Sequence, residues 1–371
     1  MSKPTTLHHL SVIIVSYNVR ELLRDCLRSV FASAARSGDW LHVTVTVVDN
    51  ASQDGSAQMV AEEFPQVELI ASEENLGFTG GNNLGIGDWG SGIGDRGSGS
   101  GEEQSPNLPI SQSPIPNTPI PNTPISQSPD LFLLLNPDTE LVADALGRMA
   151  GFLRDHPGVG MCGAGLRYGD GRFQHGAFRF PGLAQVALDL LPLDQIPGVR
   201  RLLPRLLNSR INGRYPAHLW KGDAPFPVDF VLGAAMMVSS KAVQNVGLLD
   251  DGYFMYCEEM DWAWRMKQAG WAIYALPGVR VIHHEGQSSR QRPWQSLERL
   301  WRSRLRFYRK YAADFPPGFF GLLGGLMRLG FGWRARIAWR AFSRGEISGD
   351  QLGQALATYR SILGHLNARH L

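Results

Sequence analysis

Short apolar runs and helically spaced apolar positions alternate through the first 75 residues. Residues 11–16 form a short apolar run, the pattern of a strand buried on both faces. Leu22, Leu23, Cys26, Leu27, Val30 and Phe31 follow at three- and four-residue spacing and predict a helix. Residues 43–48 predict a second strand ending at Asp49, residues 56–64 a helix, and residues 67–71 a third strand. This βαβαβ order implies a parallel sheet with right-handed crossovers. Ligands of such sheets sit at the carboxyl ends of strands. Those ends carry Ser16, Tyr17 and Asn18, then Asp49 and Asn50, then Asn75, Leu76 and Gly77.

The alternation stops at residues 87–130, where seven Gly and eight Pro occupy 44 positions and a five-residue Ile-Pro-Asn-Thr-Pro unit repeats. Such a composition buries too little apolar surface to offset chain entropy, so a disordered, low-complexity surface loop is expected there. The apolar run 131–135 then predicts another buried strand, ending in Asn136, Pro137 and Asp138. Residues 140–154 predict an amphipathic helix stopped by Pro157, and residues 159–175 strands around a Gly169–Gly171 turn. Residues 181–227 are punctuated by proline and give no clear pattern. Residues 258–268 predict a helix closed by Gly270, residues 271–283 two short strands around Pro277, and the chain from 293 onward helices.

Composition sharpens this picture in two places. Of the 65 Gly and Pro residues in the 371-residue chain, the insert holds a disproportionate share, and the other 327 residues read as an ordinary globular enzyme. The net charge of +2 hides an asymmetry. Residues 285–344 carry twelve Arg and one Lys against three acids, so the remainder is acidic. A nucleic-acid binder would be basic throughout; an acidic catalytic body with a basic tail favours phosphates or anionic membrane surfaces. Three widely spaced cysteines form neither a disulfide framework nor a zinc knuckle, and imply a reducing compartment. The N-terminus shows no signal-peptide pattern. The longest uncharged apolar-leaning run, residues 315–327, falls short of the roughly 20 needed to span a bilayer. A cytoplasmic protein is expected, with the basic segment as the part that would meet the inner membrane face.

Three clusters carry candidate chemistry. Asp138 ends a buried strand on a turn stiffened by Pro137, where an acid can hold a hard divalent cation beside phosphates, or merely cap the next helix. Glu258, Glu259 and Asp261 crowd the start of a helix among Tyr253, Phe254, Tyr256, Trp262 and Trp264. The helix dipole alone favours acids there, but semi-apolar surroundings also raise a carboxylate's proton affinity toward that of a general base. His283 and His284 follow a strand and are either structural hydrogen-bonders or a metal ligand arriving at the rim of an acid-rich site. No GxGxxG follows the first strand, and no HExxH helix is present, which argues against a dinucleotide dehydrogenase and a zinc hydrolase.

In their order along the chain, residues 12–18, 48–56, 75–83, 134–138 and 258–265 strongly resemble the motifs of family 2 glycosyltransferases, and within them the rhamnosyltransferase-like and galactofuranosyltransferase-like members. The resemblance covers about residues 10–311 apart from the insert. It implies an α/β GT-A fold, a Rossmann-like mostly parallel sheet flanked by helices, with a C-terminal helical extension. It also implies inverting transfer from a nucleotide-diphosphate sugar to a glycan or lipid-linked acceptor in cell-surface polysaccharide synthesis. The expected parts are 1–86 (nucleotide-binding), 87–130 (insert), 131–290 (metal and acceptor) and 291–371 (basic helical extension). By the same resemblance Ser16, Tyr17, Asn18, Asp49, Asn75, Gly80, Asn82, Asn83 and Asn136 would lie along the nucleotide sugar. Asp138 would be the main ligand of Mn²⁺ or Mg²⁺, with Asn136 where the family's first Asp stands, and His283 a second ligand. Glu259 matches the catalytic base, where Asp is usual, so Glu258 or Asp261 could share that role. A nucleotide-sugar-binding protein without turnover is the alternative, and a Glu259→Gln variant separates the two.

In the tail, Leu300, Trp301, Leu305, Phe307 and Tyr308 interleave with Arg302, Arg304, Arg306 and Arg309. An interfacial amphipathic helix and an ordinary docking helix with a solvated basic face both fit this pattern. On the first reading, neutralising those four arginines weakens binding to anionic vesicles.

Overall fold

A computed structural model describes residues 7–87, 128–195, 198–284 and 293–366. The insert expected at 87–130 therefore lies almost wholly outside the described residues, as does Glu285.

The chain forms β1 (His8–Ser16), α1 (Arg20–Ala34), β2 (Leu41–Asn50), α2 (Ser56–Glu63), β3 (Glu68–Ser72) and α3 (Gly77–Ile86). After the insert come β4 (Leu131–Leu135), β5 (Thr139–Leu141), α4 (Ala145–Asp155), β6 (Val159–Arg167), β7 (Phe173–Gln174), β8 (Ala177–Phe178), α5 (Leu183–Leu190) and α6 (Val199–Leu207). Next are β9 (Phe226–Pro227), β10 (Phe230–Val231), β11 (Ala235–Ser239), α7 (Ser240–Val246), α8 (Glu258–Gln268) and β12 (Ala272–His283). Helices α9 (Pro293–Lys310), α10 (Phe319–Ser343) and α11 (Gly349–His365) close the described chain.

The main sheet has the order β3-β2-β1-β4-β11-β6-β12-β5, with β7 beside β6 and β9 beside β12. Strands β3, β2, β1 and β4 are mutually parallel, β11 is antiparallel to both its neighbours, and β6 and β12 are parallel again. This is the mostly parallel GT-A arrangement expected from the sequence. Because β1, β2, β3, β4, β6 and β12 run one way, their carboxyl ends share one edge, the edge on which such sheets bind ligands. One core packs α1, α2 and α4 on one face of the sheet. A second packs α7 and α8, with Trp262 fully buried, on the other.

Two elements differ from the sequence pattern. The residues expected to begin one helix at 140 instead form β5, which pairs antiparallel with the end of β12 at His283 and Thr139, and α4 starts only at Ala145 on the Asp144 side chain. The two strands expected around Pro277 are one strand whose register against β6 slips between Leu276 and Arg280. A bulge absorbs the extra residues without breaking the strand.

The C-terminal helices share a third core with the α8 region: Trp301, Phe307, Tyr308, Leu323, Phe331 and Ile362 pack with Tyr253, Cys257 and Met260. That packing alters the picture of α9. Arg304 donates to Asp189 at 2.6 Å, Arg306 to Asp250 at 2.8 Å and Arg309 to the carbonyl of His365 at 2.5 Å, leaving only Arg302 exposed. Three of the four arginines expected on a solvated or membrane-facing surface are intramolecular pairs. Neutralising all four would therefore loosen the tail as well as discharge it. No described helix is long and apolar enough to cross a membrane.

Candidate functional site

At the carboxyl edge of β1 and β2 the backbone is forced into left-handed conformations at Asn18 (φ 52°) and Ala51 (φ 61°). Non-glycine residues rarely adopt them, and such outliers cluster at binding sites. The Asn18 amide donates to Ser52 Oγ at 3.0 Å, and its side-chain oxygen accepts from Gln53 N–H at 2.7 Å, so Asn18 ties the two loops together. Asp49, 3% exposed, accepts from Ser52 N–H through Oδ2 while Oδ1 has no partner. Asn50 donates to the Gly77 carbonyl at 2.9 Å, fixing the start of α3 against β2. Gly77 itself has φ +73°, and a Cβ there would collide with the Phe254 carbonyl, so only glycine fits.

Ser16 Oγ, Asp49 Oδ1, Asn50 Oδ1, Thr79 Oγ1 and Asn82 Oδ1 are buried at this edge and in α3 without a partner among the described residues. Each costs desolvation energy unless a ligand or water satisfies it. Ser16, Asp49 and Asn82, expected along a nucleotide sugar, are among these buried unpaired groups. Asn50, named from the sequence only as a strand-end residue, joins them, as does Thr79, which the sequence reading had not singled out. Tyr17, Gly80 and Asn136 are half-buried. Asn75 is exposed, and its side chain accepts from the Gly77 N–H at 2.9 Å in a local turn. Asn83 does not belong with this group. Its amide is spent on the Leu249 carbonyl and on Asp251, and its oxygen accepts from Leu249 N–H, so it fastens α3 to the segment before α8.

Farther along the edge, β5 brings Asp138 against β12. His284 N–H donates to the Asp138 carbonyl at 2.8 Å. The two neighbouring histidines part company. His284 turns outward to Glu140, Nε2 to Oε1 at 2.7 Å, and His283, 5% exposed, turns inward. Nδ1 of His283 lies 3.2 Å from Gln174 Oε1, and in the tautomer protonated at Nδ1 the Nε2 atom presents its lone pair. That lone pair faces Asp138 Oδ1 at 3.4 Å. In that tautomer the imidazole and the carboxylate each turn a lone pair toward the other, as two ligands of one cation do. Ligands held about 2.1 Å from one ion at right angles stand about 3 Å apart. The pair fits a divalent metal, and Gln174 stands behind His283 as the outer partner that fixes its tautomer. Among the described residues no group of three or more His, Cys, Asp and Glu side chains is arranged to hold a metal by itself. Underneath, the Cys26 thiol and the Thr139 hydroxyl meet at the Asn136 carbonyl and brace the turn.

The acid cluster sits at the same edge, since the Phe254 carbonyl accepts from Phe78 N–H at the start of α3. Tyr256 (φ 69°) and Cys257 (φ 66°) are both left-handed, a strained approach that aims the first turn of α8. Glu258 and Glu259 are buried, at 4% and 9% exposure, each with one carboxylate oxygen lacking a partner. Burial pushes both carboxyls up, and the neighbouring Glu259 charge pushes Glu258 further, well above the usual range, while Glu259 rises to about 7. Adjacent acids with separated proton affinities are the arrangement that lets one stay protonated while the other exchanges a proton near neutrality.

Asp261 does not share that freedom. Fully buried, it receives Arg265 Nε at 2.9 Å, Lys310 Nζ at 2.7 Å, and the hydroxyls of Tyr311 at 2.9 Å and Tyr253 at 3.4 Å. Both oxygens are occupied by partners on α8 and α9, so its place among the candidate bases is corrected to a structural one.

Residues 11–91 match the family model described as glycosyl transferase family 2. An N-acetylglucosaminyl-diphospho-decaprenol L-rhamnosyltransferase of Mycobacterium tuberculosis is 24% identical over 330 residues, 89% of this chain and 88% of that protein. The chain is a glycosyltransferase, with its family 2 match over residues 11–91. This glycosyltransferase is also 22% identical to a low-salt glycan biosynthesis hexosyltransferase of Haloferax volcanii, over 76% of its own length and 69% of the relative's. A solved mannosyltransferase from Pyrobaculum calidifontis, in complex with GDP-Man and Mn²⁺, aligns with 98% of the glycosyltransferase and 85% of that chain, at 16% identity and a TM-score of 0.48. The motif at 75–83 and the acid pair meet at one edge of the sheet through the Phe78 N–H and the Phe254 carbonyl. Gln174, by contrast, stands in a two-residue strand with no pattern to mark it.

Proposed function

We propose that this glycosyltransferase moves a sugar, with L-rhamnose the first candidate, from a nucleotide-diphosphate donor to a hydroxyl of a lipid-linked glycan acceptor in cell-surface polysaccharide synthesis, with inversion at the anomeric carbon. The rhamnosyl and lipid-linked parts rest on similarity to the mycobacterial relative. The observation that carries the mechanism is the buried Glu258–Glu259 pair with its split proton affinities.

Ser16, Asp49, Asn50, Thr79 and Asn82 offer the unsatisfied polar atoms that a nucleoside would fill. Asp138 and His283 would hold Mn²⁺ or Mg²⁺, the donor's phosphates completing a shell to which the protein contributes two groups. When bound, such an ion neutralises charge developing on the departing diphosphate. Glu259 accepts the proton of the attacking acceptor hydroxyl, being the acid of the pair whose affinity lies near neutrality. Glu258 stays protonated beside it, so the pair never carries two adjacent buried charges. The fixed direction of α8, set by Tyr256 and Cys257, holds the base to one side of the sugar, which gives attack opposite the leaving group and hence inversion.

The test is a panel of nucleotide-diphosphate sugars, rhamnose included, assayed with Mn²⁺ for nucleoside diphosphate release and for the anomeric configuration of the product. Wild type should consume one donor preferentially and invert it. Glu259→Gln should bind that donor with unchanged thermal stabilisation while kcat falls on the order of 100-fold or more. A variant that keeps a tenth of the rate would remove Glu259 from this role.

A further inference from the structure

Helix α10 is the least covered part of the molecule. Of thirteen large hydrophobic side chains exposed among the described residues, five lie on this one helix: Phe320, Leu322, Leu329, Trp339 and Phe342. Its 25 residues include four arginines and no acid or lysine. One face is accounted for, since Phe319, Leu323, Met327 and Phe331 are buried in the core shared with α9 and α11. On the opposite side, at 100° per residue, Trp339, Arg336, Leu329, Leu322 and Arg340 fall within an arc of about 100°. Gly325 and Gly332 lie in the same stripe, and both are exposed. Leu322, Leu329 and Trp339 are 62%, 57% and 54% exposed. Arg336 and Arg340 are paired with no acid among the described residues, in contrast to Arg304 and Arg306 of α9.

We propose that this outer face of α10 lies on an anionic lipid surface. The occupant follows from the chemistry of the stripe. Trp and Leu with bare arginine and no acid suit the boundary where acyl chains meet negatively charged headgroups. The helix is not apolar enough to cross the bilayer, so it lies in the plane. On this reading the tail meets membranes through α10 and not through Arg304 and Arg306 of α9, whose charges are met by Asp189 and Asp250. The inference deepens the lipid-linked acceptor reading: a protein resting on the bilayer would meet such an acceptor in two dimensions.

Flotation of the full chain with phosphatidylcholine vesicles, with and without phosphatidylglycerol, tests it, since vesicle binding needs no turnover. Partitioning should rise at least tenfold with the anionic lipid. Leu329→Glu with Trp339→Glu should abolish it, and Arg336→Gln with Arg340→Gln should weaken it on the order of tenfold or more, near fivefold per charge. Release of nucleoside diphosphate in detergent-free buffer by the same preparations should be unchanged. If wild type releases product but does not float, the lipid face fails while the function stands. If it floats but processes no donor, the function fails while the lipid face stands. Two other results overturn the inference: flotation lost only with Leu202→Glu and Leu207→Glu on α6, or a solution dimer that the α10 variants dissociate, with no vesicle binding.

Discussion

Replacing Asp261 by Asn should cost stability and leave the chemistry intact. The carboxylate is fully buried and accepts from two cations and two phenols, Lys310 at 2.7 Å, Arg265 and Tyr311 at 2.9 Å, and Tyr253 at 3.4 Å. Charge-assisted hydrogen bonds contribute about 1.5–3 kcal/mol each, neutral ones about 1 kcal/mol. An asparagine oxygen still serves the tyrosines, but the amide nitrogen then faces the Arg265 guanidinium, and neither cation keeps a counter-charge. The expected loss is about 3 kcal/mol, the lower end for breaking one side of a buried ion pair. With a urea slope of roughly 3 kcal/mol/M, the midpoint falls by about 1 M. Urea unfolding followed by tryptophan fluorescence measures it, and donor turnover per folded molecule at low temperature measures the chemistry. An unmoved midpoint with a hundredfold loss of kcat would make Asp261 the base and refute this assignment.

With Glu259 held at about 7 by burial, kcat/KM should climb about tenfold per pH unit below 7 and level above it; a flat profile contradicts the base role. The same shift acts on stability. A carboxyl whose affinity rises on folding, from an ordinary 4.5, stabilises fully below 4.5 and loses that contribution as pH rises through 7. Glu259→Gln should therefore be more stable than wild type by roughly 3 kcal/mol at pH 8 and equal to it near pH 4, read by denaturant titration. Gln174→Leu should weaken Mn²⁺ binding, followed by titration calorimetry with the donor's nucleoside diphosphate, about 10- to 100-fold, and an unchanged affinity would detach Gln174 from His283. Asn83→Ala should cost about 1–3 kcal/mol with the donor KM unmoved, because its three bonds reach Leu249 and Asp251 and not the nucleotide edge.

Local patterns announced whatever depends on local pattern. The apolar run at 11–16 and the spacing from Leu22 to Phe31 became β1 and α1 because the pattern of burial is written directly into residue order. The acids at 258–261 were visible as a cluster, yet their division of labour was not. Asp261 is set apart by Lys310 and Tyr311, about fifty residues away, whereas Glu258 and Glu259 meet no cation among the described residues. Arg304 and Arg306 misled for the same reason, their acids being Asp189 and Asp250. Alternating charge along a helix looks identical whether water or a distant carboxylate receives it. The β5 strand escaped notice because a three-residue element has no period to detect, and it forms only once β12 is there to pair with it.

The core that α9 to α11 share with Tyr253, Cys257 and Met260 has a consequence for how this protein can vary. The tail from residue 293 onward looks like an accessory in length and charge, but Lys310 and Tyr311 hold the helix that carries the proposed base. Sequence drift there is therefore answerable to turnover: a premature stop after β12, or a polar substitution at Phe307, would cost activity while leaving every residue of the nucleotide motifs in place. Loss-of-function alleles should accumulate in the tail as readily as in the motifs themselves.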